Sequence, residues 1–94
     1  MRTLSLLLIF FLLVPMLVAQ GTPDDDRIYD EVRRKLANDT DVRGAGFDVA
    51  VKQGSVTMRG RVRDEKAKDK AEKIVKKVKG VVSVKNELKL VGSD

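Results

Sequence analysis

Two stretches of alternating side chains, residues 47–51 and 55–62, flank the dipeptide Gln53-Gly54, and no other feature restricts the fold so tightly. Such alternation marks strands with one buried face, and a two-residue loop containing Gly is a favoured hairpin connection. So short a loop fixes the register. Val51 lies opposite Val56, Val49 opposite Met58, and Phe47 opposite Gly60, whose missing side chain leaves room for the ring. On the outer face Asp48 lies opposite Arg59, near Ser55, Thr57 and Arg61. An exposed pair of this kind is worth under about 1 kcal/mol.

Helical periodicity brackets the hairpin. Ile28, Val32 and Leu36 recur at every fourth position and predict a helix over 27–37, with Tyr29 at the edge of the stripe. Arg33, Arg34 and Lys35 then complement the negative end of its dipole. Asn38-Asp39-Thr40-Asp41 stops the helix, and Gly44-Ala45-Gly46 reads as a flexible lead-in to the first strand. Because a strand follows those glycines, they do not make a phosphate loop, which needs a helix N-terminus. Asp64 is placed to cap a second helix with the apolar stripe Ala67, Ala71, Ile74, Val75 and Val78; Ile74 is at its centre and Gly80 at its close. A last strand is read over 81–91, with Val82, Val84, Asn86, Leu88 and Leu90 on one face and Ser83, Lys85, Glu87 and Lys89 on the other. The amide of Asn86 is expected to satisfy nearby backbone groups.

The order helix, strand, strand, helix, strand is an α+β fold. A right-handed crossover through the second helix makes strands two and three parallel. The product is a three-stranded mixed sheet with two helices packed on one face. A core of this size gives only marginal stability.

Ahead of the domain, Arg2 precedes an apolar run over 4–19 that only Ser5 and Pro15 interrupt, and the small residues Ala19 and Gly21 follow. This is the three-part pattern of a secretory signal peptide, and the run is short for a full span of about 20 residues. Cleavage is expected after Ala19 or Gly21; a retained anchor is the alternative. Residues 1–19 are thus read as signal peptide, 20–26 as linker, 27–91 as the domain and 92–94 as a tail. The linker carries Asp24, Asp25 and Asp26, with Asp26 expected to cap the first helix. The reading makes the protein periplasmic or otherwise exported, with membrane association as an option.

Neither Cys nor His occurs in the sequence. Disulfides, a lipoprotein anchor, Cys/His zinc sites, Ser-His-Asp triads and Cys-His dyads are therefore excluded. No cofactor and no metal is expected, since the helix dipole accounts for the acidic triplet. Carboxylates and lysines are present but not grouped around a nucleophile, so no enzyme is expected. Charge is more informative. Residues 27–91 hold 18 Lys and Arg against 10 Asp and Glu. Lys66, Lys70, Lys73 and Lys77 form a stripe beside the apolar face of the second helix, and Arg59, Arg61 and Arg63 alternate onto the open sheet face. Both sets are candidate contacts for an anionic surface, whether phospholipid headgroups, acidic glycans or nucleic acid. Export sets nucleic acid last among these.

Three segments in this order carry a family resemblance: Gly54-Ser55-Val56-Thr57-Met58-Arg59-Gly60-Arg61-Val62, then Ala67 with Ala71, then Gly80-Val81-Val82-Ser83-Val84-Lys85-Asn86-Glu87-Leu88. Over 27–91 the chain resembles the BON domain of bacterial osmotically induced periplasmic proteins and related envelope proteins. The resemblance implies the same fold and an envelope role in phospholipid binding or membrane maintenance, with no catalytic motif to transfer. The expected function is a non-enzymatic exported module that binds anionic phospholipid through Lys66, Lys70, Lys73, Lys77, Arg59, Arg61 and Arg63 and supports membrane integrity or stress tolerance. The alternative is a protein-interaction or chaperone-like adaptor that meets another envelope protein through the open sheet face or an edge strand.

Overall fold

The computed structural model describes residues 22–92; the expected signal peptide lies outside the described residues. Helix α1 is Pro23–Asn38, strand β1 Asp48–Lys52, strand β2 Ser55–Val62, helix α2 Glu65–Lys76 and strand β3 Ser83–Leu90, with a 3₁₀ turn at Gly44–Gly46 before β1. The sheet order is β1-β2-β3, with β1 antiparallel and β3 parallel to the central β2. Both helices contribute to one core on one face of this mixed sheet. The expected register holds, with Val51 opposite Val56, Val49 opposite Met58 and Asp48 opposite Arg59.

Helix α1 starts earlier than periodicity predicts. Thr22 caps it, its hydroxyl accepting the Asp25 N–H at 3.2 Å. Pro23 follows at the first turn, where a missing N–H costs nothing. The acidic triplet is therefore the first turn of the helix and not linker, and Asp26 is not the cap.

Asp25 is the exception among these acids, being buried. Its Oδ2 accepts the Gln53 N–H at 2.8 Å and its Oδ1 the Gly54 N–H at 3.0 Å. Gln53 and Gly54 both have positive φ, 50° and 82°. That is the mirror-image turn whose twist matches the strands, and it leaves two amides to be satisfied by something outside the ladder. The Gln53 amide is the strongest influence holding the Asp25 carboxyl below its ordinary value of 3.8; burial opposes it, and the Gly54 and Thr22 bonds add to it.

Two arginines fasten the rest of α1. Arg27 Nη2 donates to the Lys79 carbonyl at 2.7 Å, and Arg33 Nη1 donates to the Phe47 carbonyl at 3.0 Å. Gly44 is not a flexible lead-in: it is buried, and a Cβ there would lie 2.9 Å from Leu36 Cβ and from the Phe47 ring. The same ring covers Gly60 as the register predicts, 2.6 Å from where a Cβ would stand.

Ile28, Val32 and Leu36 from α1 meet Val49, Val56, Met58, Val62 and Leu88 from the sheet and Ala67, Ala71 and Val75 from α2. The two alanines let α2 lie close to the sheet and set the centre of its buried face. Val75 is therefore fully buried, while Ile74 is turned toward α1 and only partly buried. Val82 departs further from expectation. It precedes β3, its N–H donates to the Gly54 carbonyl at 2.9 Å, and the residue is 74% exposed. Asn86 behaves as expected: its Nδ2 donates to the Lys68 carbonyl at 2.9 Å and its Oδ1 accepts the Leu88 N–H at 3.2 Å.

Leu88→Ala is expected to cost about 2–5 kcal/mol in urea unfolding, and Ile74→Ala clearly less, because a half-exposed site leaves little cavity. A larger loss at Ile74 than at Leu88 would contradict the assignment of the α2 face. Asp25 gives a pH test. A carboxylate whose folded pKa is depressed contributes stability above its unfolded value, and that contribution is lost as pH falls through the folded value. The stability gap between wild type and Asp25→Asn is therefore expected to be full at pH 6 and to close on acidification below 3.8. A gap that does not change with pH would show that the charge on Asp25 does not hold the turn.

Candidate functional site

The seven basic residues singled out by sequence fall into three environments. Lys70 is not a free cation. Its Nζ lies 2.7 Å from Asp41 Oδ2 and 3.1 Å from Asp39 Oδ2. Asp39 also accepts the N–H groups of Asp41 and Val42 at 3.0 and 3.1 Å, which folds the loop after α1 back onto α2. The Asp41 and Asp39 hydrogen bonds raise the Lys70 pKa against the opposing effect of desolvation. Burial pushes the Asp39 carboxyl up, but the Lys70 ammonium and the two amides outweigh it and hold it below its ordinary value. Asp41 is lowered chiefly by Lys70.

Arg63 joins the same cluster, so it does not share the open face with Arg59 and Arg61. β2 ends at Val62, and the Arg63 guanidinium turns to Asp41 Oδ1 at 3.1 Å and to Asp64 at 3.7 Å. Arg59 does lie on the open face, where its Nε donates to Glu87 Oε1 on β3 at 2.6 Å. That bond is the main reason its pKa is raised. Arg61 Nη1 donates to the Leu90 carbonyl at 3.3 Å. Lys85 also reaches Glu87, at 3.4 Å. The open face is thus internally paired over much of its length.

Lys66, Lys73 and Lys77 are different. All three are exposed, and none has an acidic partner among the described residues. Lys77 is the C-cap of α2, and it shares an open cleft of about 350 Å³ with Lys35, Asn38, Asp39 and Ile74. A second cleft, of about 440 Å³, lies along Lys66, Asp69, Lys70 and Lys73. The half-buried Ile74 gives the first cleft an apolar wall between two ammonium groups. Periodicity along α2 finds three of these residues, but not Lys35, which comes from α1 and joins them only through helix packing. Nor does it find Asp39 and Asp41, which remove Lys70 and Arg63 from the set; their signal was a turn sequence indistinguishable from a solvated one.

Among the described residues no group of three or more acidic side chains is placed to hold a metal ion, and no helix is long and apolar enough to cross a membrane. Residues 24–92 match the model of the BON domain family. The chain belongs to that family. The match begins one residue after the start of α1 and so takes in Asp25 and its contacts with the hairpin turn. No curated protein matches the chain. BON domains are known for binding phospholipid and membranes in envelope proteins.

Within this BON domain the lysines of α2 are expected to separate by mutation. Lys70→Gln removes the counter-charge of two carboxylates and should lower the thermal midpoint, whereas Lys73→Gln should leave it unchanged. Equal effects would contradict the division between paired and free cations.

Proposed function

We propose that this BON domain is a non-enzymatic, exported envelope module that binds anionic phospholipid surfaces through its helical layer and thereby supports membrane integrity. The observation that carries the reading is the sorting of charge: Lys66, Lys73 and Lys77 stand exposed without acids, while Lys70, Arg59 and Arg63 are already paired. The free ammonium groups lie along one side of α2, and Lys35 extends the set across the cleft to α1. Lysine stems can rest on the edge of the core while their heads reach a headgroup plane. Family membership supports the same reading, as does the signal-peptide pattern of the N-terminal residues.

Each lysine near an anionic surface contributes about 1 kcal/mol, so three supply about 3 kcal/mol, roughly a hundredfold in affinity. This face has no Trp or Phe to insert, so binding is electrostatic, reversible and weakened by salt. A second reading, contact with another envelope protein, is favoured by the unpaired edge of β3, where Val82 remains exposed.

Co-sedimentation with vesicles tests the lipid reading. Binding is expected with phosphatidylglycerol-containing vesicles, not with pure phosphatidylcholine, and should fade as salt is raised. The Lys66→Gln/Lys73→Gln/Lys77→Gln variant should lose about two orders of magnitude in affinity. Binding that ignores lipid charge, or that survives this variant but fails on replacing Arg59 and Arg61, would overturn the assignment.

A further inference from the structure

The two edges of the sheet are unequal. β1 is short, and Arg33 occupies the Phe47 and Ala45 carbonyls at its start. β3 is longer and has a neighbour on one side only. Such an edge presents backbone donors and acceptors to whatever can pair with it, here apart from the Leu88 N–H, which Asn86 Oδ1 accepts, and the Leu90 carbonyl, which accepts Arg61. Its side chains are also incompletely covered. Leu88, near the middle, is buried, but Val84 and Leu90 are half-buried and the flanking Val82 and Val91 are 74% and 66% exposed. Apolar surface therefore collects at both ends of one edge strand.

We propose that this edge pairs with a second copy of the chain, β3 to β3 and antiparallel, about a two-fold axis at Asn86. Two registers give the longest overlap while keeping the faces of both sheets aligned. Centring on Glu87 places that carboxylate opposite its own copy and Lys85 opposite Lys89, so like charges oppose each other throughout. Centring on Asn86 sets Lys85 opposite Glu87 of the second copy, twice by symmetry, and Lys89 opposite Ser83. Directly opposed residues lie closer than the i, i+2 neighbours of one strand. Lys85 can thus turn from its own Glu87, 3.4 Å away, to that of the second copy. The same register sets Val84 opposite Leu88 and the exposed Val82 opposite Leu90, so each apolar end of one strand meets the apolar end of the other. An isologous contact needs this kind of self-complementarity.

The axis is perpendicular to the sheet, so both copies keep their helices on one side. The Lys66, Lys73 and Lys77 sets would then face the same surface, although the pairing itself rests on β3 alone and not on lipid binding. A strand-edge contact is small beside a standard interface of about 1,600 Å², so the dimer is reversible and depends on concentration.

Charge exchange between two tagged copies of the full chain tests it. Wild-type copies bearing different tags should co-purify after co-expression. Lys85→Glu on both copies opposes two acids at each contact, and Glu87→Lys on both opposes two bases; each should lose roughly tenfold or more of the co-purified partner. Lys85→Glu on one copy with Glu87→Lys on the other restores opposite charges at both contacts and should recover it. Because each variant chain carries the same internal change in both experiments, recovery reads contact between chains and not folding. Wild-type copies that never co-purify would overturn the proposal and leave the edge to a different protein. Co-purification in every combination would place the contact elsewhere, and loss without recovery in the mixed pair would show that the substitutions act within one chain; either overturns it.

Discussion

Helix α1 has no covalent reason to lie where it does; a long loop joins it to the sheet. Its start is anchored by one carboxylate. Asp25 accepts both amides of the Gln53-Gly54 turn, which the mirror-image turn geometry leaves outside the ladder. A buried amide without a partner costs more than an average hydrogen bond gains, so the turn and the helix start each complete the other. The same contact fixes the rotation of α1, placing Ile28, Val32 and Leu36 over the sheet and Arg27 and Arg33 at carbonyls on either side.

With α1 so placed, its C-terminal end delivers Asp39 and Asp41 to the flank of α2. These two acids decide which cations remain available. They take Lys70 and Arg63 into a local network and leave Lys66, Lys73 and Lys77 facing solvent. Net positive charge alone would not predict this division, since the sheet face carries comparable charge but pairs Arg59 and Lys85 with Glu87. Which cations stay free in this small domain is thus set by where the acids go, which is a property of the fold.

The hairpin was the most legible part of the sequence. A two-residue turn determines register, and register alone places Phe47 over Gly60. Local signals also sufficed for the Asp64 cap and the bonds of Asn86. What was not legible depends on partners distant in sequence. Asp25 reads as an ordinary linker acid ahead of the helix because a solvated carboxylate and one bonded to a turn 28 residues away have the same local pattern. Lys70 looks like its neighbours on the helical wheel until the loop after α1 arrives. Ile74 sits at the centre of the stripe as written, but Ala67 and Ala71 draw the helix down along a different line. Val82 keeps the alternation of β3, yet lies beyond the strand's end where neither helix covers it.

The central claim proposed for this BON domain is that the free lysines of its helical layer form a membrane-facing surface. Backbone amide resonances recorded with and without bilayer discs of anionic phospholipid test this most directly. Perturbations centred on Lys35, Lys66, Lys73 and Lys77, with Thr57, Arg59 and Arg61 unmoved, are the predicted result. Perturbations confined to the open sheet face, with α2 unchanged, would contradict the account.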